Sequence, residues 1–173
     1  IIIVSEERRE EFLFVIERGA TLLYGKNTRK ILSAISSLFY NHPSRGVVVI
    51  GVTGTNGKTS ITYMLENIFK ESGYSVGVIG TINYRWKDTV RAASNTTPES
   101  KELQKILFEM KKDEVEIVIL EVSSHSLYLH RVDNIQFNIA IFTNLTRDHM
   151  DLHKDFDDYY ETKRRLFDLL ALS

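Results

Sequence analysis

The chain has 173 residues, 43% of them hydrophobic and 26% charged, and a formal net charge of -1. That size and make-up predict one soluble domain, or one plus part of another, with no bulk positive charge to grip nucleic acid. The absence of cysteine excludes disulfides, thiolate metal sites and a cysteine nucleophile, and no apolar run approaches the roughly 20 residues of a membrane span. The opening Ile1 to Val4 is too short, and lacks the basic flank, for a secretory signal. Glu6 to Arg18 then predicts an amphipathic helix closed by Gly19, and Ala20 to Tyr24 a short strand. Asn27 or Thr28 can cap a second helix with Ile31, Ile35, Leu38 and Phe39 along one face. His42 to Gly46 breaks that pattern, because the residue before a proline disfavours the helical region. A boundary is expected there, dividing residues 1–43 from 44–173.

Beyond it, Val47 to Ile50 is a continuous β-branched run, as for a strand covered on both faces. A glycine loop, a helix over Lys58 to Ser72 and a buried strand over Ser75 to Ile79 follow. Thr81 to Pro98 is polar and irregular, with a hairpin expected around Lys87 and Asp88. Helices over Glu99 to Lys112 and Phe156 to Leu170 enclose strands over Glu116 to Val122 and Phe137 to Thr143. Strands alternating with helices predict an α/β fold, a mainly parallel sheet flanked by helices, with ligands beyond the carboxyl ends of its strands.

All nine glycines lie between Gly19 and Gly80, and four fall between Gly46 and Gly57. Within that cluster Gly54, Thr55, Asn56, Gly57, Lys58 and Thr59 stand between a strand and a helix. Small residues there let backbone N–H groups face an anion, and the helix N-terminus adds its dipole. Lys58 can reach β- and γ-phosphates, and Thr59 can give its hydroxyl to Mg²⁺. The strict phosphate-loop spacing would need glycine where this chain has Val52, yet strand, loop, Lys-Thr and helix in that order point to ATP or GTP.

Three downstream segments fall at other strand or helix ends. Asn95, Thr96 and Thr97 precede Pro98, which suits a first helical position, so the segment reads either as a plain cap or as part of a site. Glu121 leaves a buried strand where a Mg²⁺ ligand or water-positioning carboxylate belongs. His149, with Asp148, Asp151 and His153, forms a cluster able to hold a metal. Lys163 lies on an amphipathic helix and by its chemistry alone is a surface lysine.

Gly54-Thr55-Asn56-Gly57-Lys58-Thr59 resembles the phosphate loop of the Mur ligase superfamily, which includes the folylpolyglutamate synthetases. Asn-Thr-Thr-Pro-Glu, Glu-Val-Ser-Ser-His, Phe-Thr-Asn-Leu-Thr-Arg-Asp-His-Met-Asp and Tyr-x-x-x-Lys-x-x-Leu-Phe occur here in the order of the branch that adds the third peptide residue in peptidoglycan assembly. The resemblance covers Ile31 to Leu170. It implies an ATP-dependent amide ligase that phosphorylates the terminal carboxylate of UDP-MurNAc-L-Ala-D-Glu and lets an amine, meso-diaminopimelate or L-lysine, displace the phosphate. It implies ATP on Gly54 to Thr59, with Lys58 catalytic, and Mg²⁺ at two sites drawing on Thr59, Glu121, His149 and a carbamylated Lys163. Asn95, Thr96, Thr97, Ser123 and Arg131 would hold the UDP-muramoyl-dipeptide. Family members commonly carry glutamine where this chain has Leu129. The resemblance further implies a cytoplasmic monomer with neither nucleic acid nor membrane as partner. By the same comparison, residues 1–43 correspond to the end of a uridine-side domain and 44–173 to the first part of the ATP-binding central domain. With no amino-acid-binding domain, the chain alone is expected not to turn over. Another ligase of the superfamily, of folylpolyglutamate or cyanophycin type, a P-loop NTPase or kinase, and a nucleotide-binding remnant are the alternatives.

Overall fold

A computed structural model describes residues 1–148 and 152–170. The first 25 residues form a small layer of their own. Strands β1 (Ile2–Ser5) and β2 (Leu22–Gly25) pair in parallel, Ile2 opposite Leu22. The helix expected over Glu6 to Arg18 is broken instead into two 3₁₀ turns, Glu6–Arg8 and Glu10–Phe12, and a four-residue α1 (Phe14–Glu17). The reason lies in packing. Only Val15 of that stretch is buried, while Leu13, Phe14 and Ile16 are exposed, so no apolar face supports a helix this short. Strand β1 has no counterpart among the elements expected from sequence, because four residues are too few to show a period.

Helix α2 (Thr28–Phe39) starts where expected, with Asn27 Oδ1 accepting the N–H of Lys30 at 3.1 Å. Its orientation reverses the reading from periodicity. Ser33, Ser36 and Ser37 are buried on the side facing α4 (Ser100–Lys112), and Leu32, Ile35, Leu38 and Phe39 are exposed. Asn134 explains the inversion. Its Nδ2 donates to Ser33 Oγ at 3.0 Å, and its carbonyl accepts from Gln104 Nε2 at 3.3 Å, so a polar seam joins α2 to the larger body.

That body is one six-stranded sheet in the order β6-β5-β4-β7-β3-β8. Strands β3 (Val48–Thr53), β4 (Val76–Ile79), β7 (Ile117–Glu121) and β8 (Ile139–Phe142) are parallel. The expected hairpin is β5 (Asn83–Trp86) and β6 (Thr89–Ala92), antiparallel at one edge, with Lys87 in the left-handed region at φ 44°. Period-two alternation sorts the core. Val49, Val118 and Leu120 face α4 and α6 (Phe156–Asp168), whereas Ile50, Val52, Ile117 and Ile119 face α3 (Lys58–Glu71). Gly51 faces Phe137 and Leu166, where a Cβ would meet the Phe137 ring at 2.8 Å, so its lack of a side chain lets α6 lie against the sheet. Short α5 (Ser124–Tyr128), not anticipated, follows β7 directly. Strand β3 links across β7 to β4 on one side and pairs with β8 on the other. The chain thus reverses direction across the sheet at β3, the place where open α/β sheets leave a crevice.

Candidate active site

Four segments meet beyond the carboxyl ends of β3, β4, β7 and β8. The loop after β3 ends at α3, whose N-terminus carries no side-chain cap. Gly54 has φ +138° and Gly57 φ +84°, both unsuited to side chains. At Gly54 a Cβ would also collide with Thr143 Oγ1. The loop is fastened from the β8 side. Thr55 N donates to Asn144 O at 2.9 Å, Asn56 N to Asn144 Oδ1 at 3.0 Å, and Asn144 Nδ2 and Thr143 Oγ1 both donate to Asn56 O. Thr55 Oγ1 lies 3.1 Å from the Tyr159 hydroxyl and receives the Thr146 N–H at 3.0 Å. Thr143, Asn144, Thr146 and Tyr159 are therefore the loop's supports. They lie in the Phe-Thr-Asn-Leu-Thr and Tyr-x-x-x-Lys segments singled out in sequence, but their contact with a loop some 90 to 100 residues away is set by the fold.

Two lysines converge on one backbone oxygen. Lys58 Nζ donates to Gly54 O and Thr55 O, each at 2.9 Å, and Lys163 Nζ donates to Gly54 O at 2.9 Å. Lys163 is 1% exposed, so the surface position its chemistry suggested is replaced by one of the most buried sites in the chain. Its ammonium lies 4.6 Å from the Tyr159 ring centre. Burial, then the neighbouring charge of Lys58, pushes Lys163 down to about 7, against a smaller upward pull from Asp148. Burial also lowers Lys58, with Glu121 and Asp148 opposing.

Glu121 sits at the centre. Its Oε2 accepts from Thr59 Oγ1 at 3.0 Å and Thr81 Oγ1 at 2.9 Å, and its Oε1 accepts from Thr81 N at 3.2 Å. Gly80 makes room for that carboxylate, since a Cβ there would collide with Glu121 Oε1. Thr81 continues the chain of contacts to Thr96 Oγ1, 3.0 Å away. Thr97, fully buried, donates to Glu121 O at 2.7 Å and accepts from Ser123 N at 3.1 Å. Arg131 Nη1 donates to Thr97 O at 3.0 Å, and its Nη2 lies 2.7 Å from Glu99 Oε1. Asn95 is exposed at the rim. Thus Lys58, Thr59, Glu121, Thr96, Thr97, Ser123 and Arg131 are brought together. Thr81 joins them although no motif marked it.

The histidines separate. His149 lies outside the described residues. His153 is buried, its ring 5.1 Å from that of Tyr159 and its Nδ1 3.4 Å from Asp158 Oδ2, so it packs rather than opening toward the cleft. His130 pairs with Asp133 at 2.8 Å. Among the described residues no three His, Asp or Glu side chains group as a metal cage. For Mg²⁺ the donor set that fits is the Thr59 hydroxyl and the Glu121 carboxylate, two hard oxygens side by side.

Residues 52–172 match the family described as Mur ligase middle domain. The chain belongs to the Mur ligase family. Over 149 residues it is 46% identical to the UDP-N-acetylmuramoyl-L-alanyl-D-glutamate--2,6-diaminopimelate ligase of Caldanaerobacter subterraneus subsp. tengcongensis, covering 86% of this chain and 31% of that protein. The Clostridium botulinum protein of the same name is 44% identical over 167 residues, 96% of this chain and 34% of that one. A solved structure of a UDP-N-acetylmuramoyl-L-alanyl-D-glutamate--2,6-diaminopimelate ligase superposes with a TM-score of 0.74 at 26% identity, over 87% of this chain and 31% of the other. E. coli FolC in complex with DHPP and ADP superposes less closely, with a TM-score of 0.56 at 25% identity over 79% and 38%. The chain spans about a third of the length of these curated relatives. Mur ligase architecture accounts for the sheet, the glycine loop and the position of the cleft. No helix among the described residues is long and apolar enough to cross a membrane.

Proposed function

We propose that this Mur ligase segment is the nucleotide-binding part of an ATP-dependent ligase that adds meso-diaminopimelate to UDP-MurNAc-L-Ala-D-Glu in the cytoplasm. The observation that carries the reading is a continuous run of hydrogen bonds, Thr59 to Glu121 to Thr81 to Thr96, along a cleft of about 270 Å³. It joins the phosphate loop to the polar segment Ser94 to Thr97, here called the strap, so a nucleotide on the first faces an acceptor on the second. The FolC-like alternative shares the loop, but the relatives named as diaminopimelate ligases align at 44–46% identity and favour the muramoyl substrate.

In this reading ATP lies on Gly54 to Thr59, and Lys58 leaves its two carbonyls to meet the β- and γ-phosphates. Thr59 and Glu121 hold Mg²⁺, with His149 as a further ligand. Bound Mg²⁺ would neutralise charge on the transferring phosphoryl group. A carboxylate oxygen of the dipeptide, oriented by Asn95 to Thr97, Ser123 and Arg131, attacks the γ-phosphorus and ADP leaves. The diaminopimelate amine then attacks the acyl carbon, phosphate departs, and the amine proton is released. Lys163 suits carbamylation because its lowered pKa leaves much of it as neutral amine near pH 7. That amine would add to CO₂, losing a proton and becoming an anion on a buried stem, a candidate ligand for a second Mg²⁺.

The test is an assay at the length of the relatives, with ATP, Mg²⁺, UDP-MurNAc-L-Ala-D-Glu and diaminopimelate. Tripeptide product and phosphate are expected in equal amounts. Lys58→Ala should reduce turnover at least 100-fold, as for loss of one strong transition-state contact. Phosphate release that ignores both muramoyl substrate and amine would instead identify an NTPase. The 173-residue chain by itself is expected to yield no tripeptide.

A further inference from the structure

Tyr84 is 1% exposed and lies on β5 within the large core cluster, beside Trp86 and Leu103. A phenol at such a site needs partners for its hydroxyl. It finds them in the strap. Tyr84 Oη accepts the backbone N–H groups of Ser94 and Asn95, each at 3.1 Å, and donates to Asn95 O at 2.6 Å. Ser94 Oγ is a further contact at 3.2 Å and itself donates to Glu102 at 3.0 Å. One donor and two lone pairs are thereby filled by three backbone groups of consecutive residues.

We infer that the Tyr84 hydroxyl is a positioning residue, setting the backbone of Ser94 and Asn95 so that Asn95 and Thr96 face the ligand opposite the phosphate loop. Thr97 fixes the far end of the strap through Glu121 O and Ser123 N, and Thr96 is tied to Thr81. Among the described residues, Tyr84 supplies the hydrogen bonds that hold the backbone of Ser94 and Asn95 at the near end. The hairpin presenting Tyr84 is itself locked, because Arg85, the next residue, pairs with Glu66 of α3 on the opposite face. Among the described residues, Tyr84 Oη bonds to Ser94 and Asn95 and not to the phosphate loop, so the nucleotide subsite does not depend on this hydroxyl.

The inference rests on the proposed function, and Tyr84→Phe tests it because the ring that fills the core is kept. In the protein at the length of its relatives, KM for UDP-MurNAc-L-Ala-D-Glu should rise about tenfold, equivalent to about 1.4 kcal/mol, with kcat and the KM for ATP within twofold of wild type. Amide exchange on the 173-residue chain supplies a second readout. The Ser94 and Asn95 amides should exchange at least tenfold faster in Y84F while those of Val49 and Leu120 stay protected. An unchanged muramoyl KM, or unchanged Ser94 and Asn95 protection, would overturn the inference. Equal rises in both KM values would also do so, since they would report general loosening. If the wild-type protein takes no muramoyl substrate at all, the proposed function fails first, and the positioning role fails with it for want of a ligand to position.

Discussion

Lys163 shows how far a side chain's setting can depart from its type. Buried and facing a second ammonium, it titrates near 7 rather than at the 10.5 of a free lysine. Between those two values the folded chain binds fewer protons than the unfolded chain, so stability rises with pH across the window, and the burial cost is largest below about 7. Lys163→Met should therefore raise the urea midpoint at pH 7 and flatten the rise between pH 7 and 9. Unfolding curves of both chains at those pH values check this; parallel curves would show that Lys163 does not titrate there. The residue's position on an amphipathic helix was legible in sequence, but its burial was not. An amphipathic helix says which side chains share a face, and only the packing of α6 over β3 turns the Lys163 face toward Gly54. The same holds for Tyr84, which in sequence is one aromatic in a polar, irregular stretch and in the fold is the acceptor for the amides of Ser94 and Asn95.

At the scale of elements, α3 and the β5–β6 hairpin are joined by charge in a setting that water reaches poorly. Burial by itself would raise the Glu66 carboxyl, but hydrogen bonds from Arg85 and Lys70 bring it below the usual carboxylate range. Arg85 also stacks over the Tyr63 ring at 4.2 Å. Arg85→Met leaves Glu66 with Lys70 alone, and breaking a largely buried pair in this way should cost about 2–3 kcal/mol, read as a lower urea midpoint. Arg85→Lys should recover only part, because a single ammonium cannot reproduce the guanidinium fork. The strands and most helices were legible because their signals are local, as with the β-branched run into β3, the Asn27 cap and the Lys87 turn. Helix α2 was legible as a helix but not in orientation. Its more apolar face is exposed in the fold, since Asn134 offers hydrogen bonds to Ser33 and Ser37 on the serine face, and hydrophobic periodicity does not register such partners.

Across the whole molecule, stability is unevenly distributed. The six-stranded sheet has core on both faces, while β1, β2 and α1 bury only Val4 and Val15. Two strands and one short helix cannot hold themselves at the level of a six-stranded sheet. Amides in β1 and β2 should thus exchange at least 100-fold faster than those of Val49 and Ile119, a pattern that hydrogen exchange on the 173-residue chain would measure directly. Equal protection would mean that both layers unfold as one unit.

The sequence by itself determined the alternation of strands and helices, the glycine loop, and the order of motifs by which the chain is assigned to the Mur ligase family, because each depends on residues adjacent along the chain. Tertiary structure alone decided that Asn144 and Tyr159 brace the loop, that Thr81 links Glu121 to Thr96, and that Lys58 and Lys163 share one carbonyl. Those contacts join residues tens of positions apart, and in a parallel sheet such neighbours are set by strand order and crossover, which no local pattern encodes.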